Sequence, residues 1–129
     1  MKIDNVRYIM NSATYHCTAE KVTREDECYK FALFVAGIGD VKLIDCTGYS
    51  DMDTHENEVL FHSKEEFAKG VDKAKGFECD YIVIRLSYGG QDMSVHLNVG
   101  DYEDGTTFCV SSRDEEVIKK VLDTIEKKF

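Results

Sequence analysis

The chain has no proline, and its 129 residues contain no apolar run near the roughly 18 residues that a membrane-spanning helix needs. No linker or low-complexity segment divides it, so we expect a single globular domain over residues 1–129. Charges at Lys2, Asp4 and Arg7 occupy the region where a signal peptide needs an apolar stretch. We therefore expect a cytoplasmic protein.

Basic residues are scarce as well, because 16 Lys and Arg stand against 25 Asp and Glu, for a formal net charge of -9. Nucleic-acid affinity depends on Lys and Arg side chains that neutralise phosphates, so this balance argues against direct nucleic-acid binding. The five cysteines form no CxxC pair and are scattered along the chain, at positions 17, 28, 46, 79 and 109. This pattern favours reduced thiols over a disulfide framework.

Common catalytic and cofactor motifs are also missing: the chain has no GxxxxGK[ST], GxSxG or HExxH. The acidic loop that begins at Asp51 and Asp53 has the alternating oxygen ligands of a calcium loop, but Glu56 stands where that loop needs a glycine. We expect no catalytic residue, no metal and no cofactor, and we predict that the protein is not an enzyme.

Alternating apolar residues predict strands at 6–10, 13–22, 28–36, 41–46, 58–62, 81–88, 91–99 and 106–111. Two amphipathic helices are expected at about 63–75 and about 113–128, each beginning with a capping box, Ser63 with Glu66 and Ser112 with Glu115. The predicted fold is α+β, with an antiparallel sheet of about seven or eight strands and both helices on one face.

The three strands of the second half allow a prediction of register. If Gly89 and Gly90 form a two-residue turn, the apolar side chains of the three strands share one face. The other face is polar, with His96 between Val83 and Cys109 and with a neighbouring row of Arg85, Ser94 and Ser111.

The acidic residues are concentrated in two regions. Residues 25–57 carry eight acidic and two basic side chains, and a second cluster lies at 101–104. In size and charge the chain resembles bacterial toxin-immunity proteins and phage-coded nuclease inhibitors, although no family motif supports this. It is expected to inhibit a basic partner, such as a nuclease or toxin, through Asp40, Asp51, Asp53, Glu56, Asp101, Glu103 and Asp104.

Other functions remain open. The polar sheet face is a candidate small-molecule or minor enzyme site, where a ligand would contact Arg85, His96, Asn98 and Cys109. A third possibility is a homo-oligomeric assembly subunit, with the aromatic strand 29–35 at a homodimer interface. The ordinary explanations are that acidic loops keep a small domain soluble and that the polar face is simply hydrated.

Overall fold

The computed structural model describes residues 1–49, 59–63, 65–66 and 80–129. The strands are β1 (Lys2–Ile9), β2 (Ser12–Ala19), β3 (Lys42–Tyr49), β4 (Val59–Phe61), β5 (Tyr81–Tyr88), β6 (Gln91–Asn98) and β7 (Thr106–Ser112). Two helices have described bounds, α1 (Glu25–Ala36) and α2 (Glu115–Lys128). The strands form one antiparallel sheet in the order β1-β2-β7-β6-β5-β3-β4, which confirms the α+β class.

Both helices pack on the same face of this sheet and share one hydrophobic core with it. Phe31 of α1 lies at the centre of this core, with its ring 5.1 Å from that of Phe108 on β7 and 5.2 Å from that of Phe129, which follows α2. The predicted register of β5, β6 and β7 is confirmed, since Leu86 pairs with Met93 and Leu97 with Phe108. The opposite side of the sheet, which we call the outer face, is therefore the polar one.

The strand predicted at 28–36 is wrong, because these residues lie in helix α1. The buried positions of the segment are 28, 29, 31, 32, 35 and 36, which is the spacing of one face of a helix. The first turn is capped by carboxylates: Glu27 accepts the Thr23 amide at 2.9 Å, and Asp101 accepts the Glu25 amide at 3.2 Å. The aromatic side chains proposed for a homodimer interface instead belong to this helix, where Tyr29 and Phe31 are buried in the core.

The capping box predicted for the last helix is also wrong. Asp114, not Ser112, is the N-cap of α2, and its carboxylate accepts the Glu116 amide at 3.0 Å. Ser112 ends β7, where its hydroxyl donates to the Asp92 carbonyl at 2.9 Å. Glu115 accepts hydrogen bonds from the hydroxyls of Tyr8 and Tyr15, which links the start of α2 to the β1–β2 hairpin.

The start of the helix predicted at 63–75 is partly described. Glu66 donates its amide to the Ser63 hydroxyl at 3.0 Å, as the capping box requires, while its carboxylate accepts the His62 amide at 3.2 Å. The remainder of this predicted helix lies outside the described residues. No helix in the described part of the chain is long and apolar enough to cross a membrane.

Candidate functional site

Carboxylates from three segments come together at one end of the sheet. The amide of Tyr102, in the loop between β6 and β7, donates to the Thr23 carbonyl at 2.9 Å, and Asp101 of the same loop caps α1. This places the loop beside the end of β2 and the first turn of α1. We call the resulting surface the acidic end; its exposed or half-exposed carboxylates are Glu20, Glu25, Asp26, Asp101, Glu103 and Asp104.

A glycine allows this close approach. Gly105 has a φ of +106°, and a Cβ there would lie 2.5 Å from the Ala19 carbonyl oxygen and 2.7 Å from the Glu20 Cα. Beside it, the buried hydroxyl of Thr106 donates to the Val22 carbonyl at 2.6 Å. The position of the acidic loop is therefore fixed by backbone contacts.

The acidic end carries little compensating positive charge. Lys21 and Arg24 are the basic side chains within its segments, and Arg24 pairs with Asp26 at 3.7 Å with both groups exposed. The Met1 ammonium lies 3.9 Å from the Glu20 carboxylate. Glu27 is not counted in the acidic end, since amide hydrogen bonds from Thr23 and Arg24 occupy its carboxylate and hold its pKa below the usual value. A negative potential at this end is the expected result.

The other predicted partner-binding residues are not brought to this end by the described structure. Asp40 follows the opposite end of α1, and a helix of 12 residues is about 18 Å long, so Asp40 lies well away from Asp101. Asp51, Asp53 and Glu56 lie outside the described residues. The sequence analysis did not select Glu20, Glu25 and Asp26, although the acidic run 25–27 is a typical first turn of a helix.

On the outer face, Cys109 of β7 lies directly between two histidines in the strand register, with His96 of β6 on one side and His16 of β2 on the other. Its Sγ is 3.0 Å from His16 Nδ1, and the Tyr81 hydroxyl is 2.7 Å from His96 Nδ1. The sequence placed His96 beside Cys109 correctly. It did not reveal His16, because only the strand order brings β2 next to β7.

Burial favours the neutral forms of two members of this group, Cys109 and His96. It raises the pKa of the Cys109 thiol above its ordinary value and lowers the pKa of the His96 imidazole below its ordinary value. A thiol with a raised pKa is a weak nucleophile at neutral pH, because the thiolate is the reactive form. Asn98, another predicted ligand contact, donates its side-chain amide to the Thr107 hydroxyl at 2.6 Å.

Arg85 is paired within the chain. Its Nε donates to Asp45 Oδ1 at 2.8 Å, and its Nη2 donates to the other carboxylate oxygen of Asp45. Asp45 is only 8% exposed, and the guanidinium holds its pKa below the usual value. An anionic ligand would therefore compete with a built-in carboxylate for Arg85.

Beside this ion pair, the outer face forms an open groove of about 510 Å³, whose polar lining includes Ser12, Arg85, Asp92, Ser94, Ser111 and Arg113. Across the described part of the chain, no three His, Cys, Asp or Glu side chains are arranged to hold a metal ion. Comparison with known proteins gives no matching family model, no similar curated protein and no similar solved structure.

Proposed function

We propose that this protein binds and inhibits a basic protein partner through the acidic end. The observation that carries the proposal is the junction of the β6–β7 loop with the first turn of α1, which collects six carboxylates against two basic side chains and the Met1 ammonium. The partner is a protein whose own site is rich in Lys and Arg, such as a nuclease or another nucleic-acid-acting protein.

Opposite charge favours both encounter and inhibition. Complementary potentials raise association rates, and acidic side chains can occupy the positions that phosphates take in a basic groove. Because Gly105 and Thr106 fix the loop, little conformational entropy is lost when Glu103 and Asp104 meet a partner.

The acidic end also offers an aromatic anchor. Tyr102 lies between Asp101 and Glu103 and is 37% exposed, with its ring against Gly100. Tyrosine is among the residues that most often dominate interface energies. Tyr102 is accordingly expected to lie at the centre of the interface.

The test is recovery of the tagged protein from its own host at low salt, in three versions side by side. The parent is compared with Glu103→Lys/Asp104→Lys and with the control Asp40→Lys/Glu126→Lys, which changes net charge equally at exposed sites away from the acidic end. We expect a stoichiometric basic protein with the parent and the control, and a loss of at least about tenfold with the acidic-end variant. Equal recovery with all three versions, or equal loss with both variants, would contradict the proposal.

A second candidate function is ligand binding in the outer-face groove, favoured by Arg113, which forms no ion pair among the described residues. Here a small anion would lie between Arg113 and the hydroxyls of Ser94 and Ser111. Thermal stabilisation by inorganic phosphate or citrate that Arg113→Ala abolishes would support this function. The absence of any stabilisation would oppose it.

A further inference from the structure

β1 forms one edge of the sheet, and its outward side has no neighbouring strand within the described ranges. Seven of its eight residues are exposed. An edge strand presents unpaired amides and carbonyls, which makes it a template for pairing with another strand.

The side of β1 that faces the helices is apolar. Ile3, Val6 and Tyr8 pair in register with buried residues of β2, yet Ile3 is 48% and Tyr8 is 68% exposed. They therefore extend the hydrophobic core to the β1 edge of the sheet, where an open margin of this core is exposed to solvent. At the end of the same strand, Ile9 is 67% exposed, and Met10 in the following turn is 90% exposed. Adjacent exposed apolar side chains of this kind mark interaction surfaces.

A bulge gives β1 an internal symmetry. Asp4 is the extra residue where the β1–β2 register shifts between Ile3 and Asn5, and its side chain accepts a hydrogen bond from the outward-facing Thr18 hydroxyl at 2.7 Å. With Asp4 and Asn5 counted as one position, β1 has seven positions, and Val6 is the middle one. Residues at equal distances from Val6 then face the same side of the sheet.

We propose that two copies of this chain pair through β1, antiparallel and about a twofold axis at Val6, so that the two sheets become one. On the helix side, Ile3 would lie opposite Tyr8 of the second copy, and the two Val6 side chains would meet. This contact closes the open margin of both cores with apolar surface.

The charges on the outer side support a second copy as the occupant. In this register Asp4 faces Arg7 of the second copy, and the pair occurs twice because the interface is isologous. Arg7 is exposed and forms no ion pair among the described residues, while Asp4 makes a 3.5 Å pair with the exposed Lys2. A bulge and charges usually protect an edge from pairing. Here the bulge brings two opposite charges into register.

The inference goes beyond the proposed function, since it assigns a different surface and a different partner. Sedimentation velocity between about 1 and about 100 µM measures the dimer directly, and we expect the parent to dimerise within this range. Arg7→Asp places two carboxylates opposite each other at both ends and should weaken the dimer at least about tenfold. Asp4→Arg combined with Arg7→Asp exchanges the charges and should restore dimerisation.

Lys30→Asp is the matched control, because it makes the same change of charge at an exposed site on α1, which packs against β3, β5 and β6 and not against β1. Circular dichroism confirms that each variant is folded. A parent that stays monomeric up to about 100 µM overturns the inference. The inference is also overturned if Arg7→Asp leaves the dimer unchanged, or if the charge exchange fails to restore dimerisation. If the parent is a monomer and the protein recovered with it is lost in Arg7→Asp, the β1 edge binds that protein instead of a second copy.

Discussion

Among single side chains, the outer face shows how position in a sheet sets chemistry. Cys109, His16 and His96 are the residue types of a nucleophilic or metal site, but the thiol and the His96 imidazole are both driven toward their neutral forms by burial. Arg85 could hold an anion, yet Asp45 already takes its guanidinium. These polar groups of the outer face therefore already have partners within the chain. The carboxylates of Glu103 and Asp104, in contrast, are exposed.

The lowered pKa of His96 predicts how stability depends on pH. Its folded-state pKa lies below its unfolded value of about 6.5, so between the two the unfolded chain binds more protons. The free energy of unfolding should then fall as the pH drops below about 6.5, by at most about 1.4 kcal/mol per pH unit from this residue.

NMR titration of the imidazole signals, with His96→Gln to assign the resonance, measures this pKa. Urea unfolding at two pH values should show a smaller loss of stability at the lower pH in His96→Gln than in the parent. A His96 pKa at or above about 6.5 would contradict the assignment of burial as its cause.

Among the elements, the β6–β7 loop and helix α1 define the acidic end together. Asp101 supplies a cap for α1, and the Tyr102 amide of the loop donates to the Thr23 carbonyl just before that helix. This contact depends on Gly105, whose positive φ and close backbone neighbours leave no room for a side chain. If this contact is removed, we expect the β6–β7 loop to move away from the first turn of α1.

Gly105→Ala should lower the free energy of unfolding by about 2 to 4 kcal/mol, because the new methyl group meets backbone atoms in a strained conformation. Gly39→Ala is the control, since a Cβ there meets nothing within 4 Å, and it should change stability by less than about 1 kcal/mol. Urea unfolding compares the two. Equal effects would mean that the loop does not need its close approach to β2.

Local patterns predicted much of the fold. The Gly89-Gly90 turn fixed the register of β5 and β6, and alternation placed His96 and Cys109 on one face. The apolar run 28–36 was misassigned as a strand, although its buried residues follow helical spacing and the acids at 25–27 suit a helix start. Local apolar content cannot separate a buried helix from a buried strand when the segment is short.

At the level of the whole molecule, the features that matter most depend on contacts distant in sequence. Strand order places His16 beside Cys109 and leaves β1 at an edge, and neither follows from the local sequence. The acidic end likewise joins residues near 20, 25 and 101, which the chain separates by up to 81 positions. We propose that the acidic end binds a basic protein and that the edge strand β1 binds a second copy of the chain.

The decisive measurement is native mass spectrometry of the tagged protein recovered gently from its own host at low salt, repeated after a high-salt wash. We expect a stoichiometric complex with a basic protein that dissociates when the salt concentration rises, because salt screens the attraction between the opposite charges. Recovery of the chain at low salt without a basic protein, whether as a monomer or as a homo-oligomer, would contradict binding through the acidic end, and so would a complex unaffected by salt.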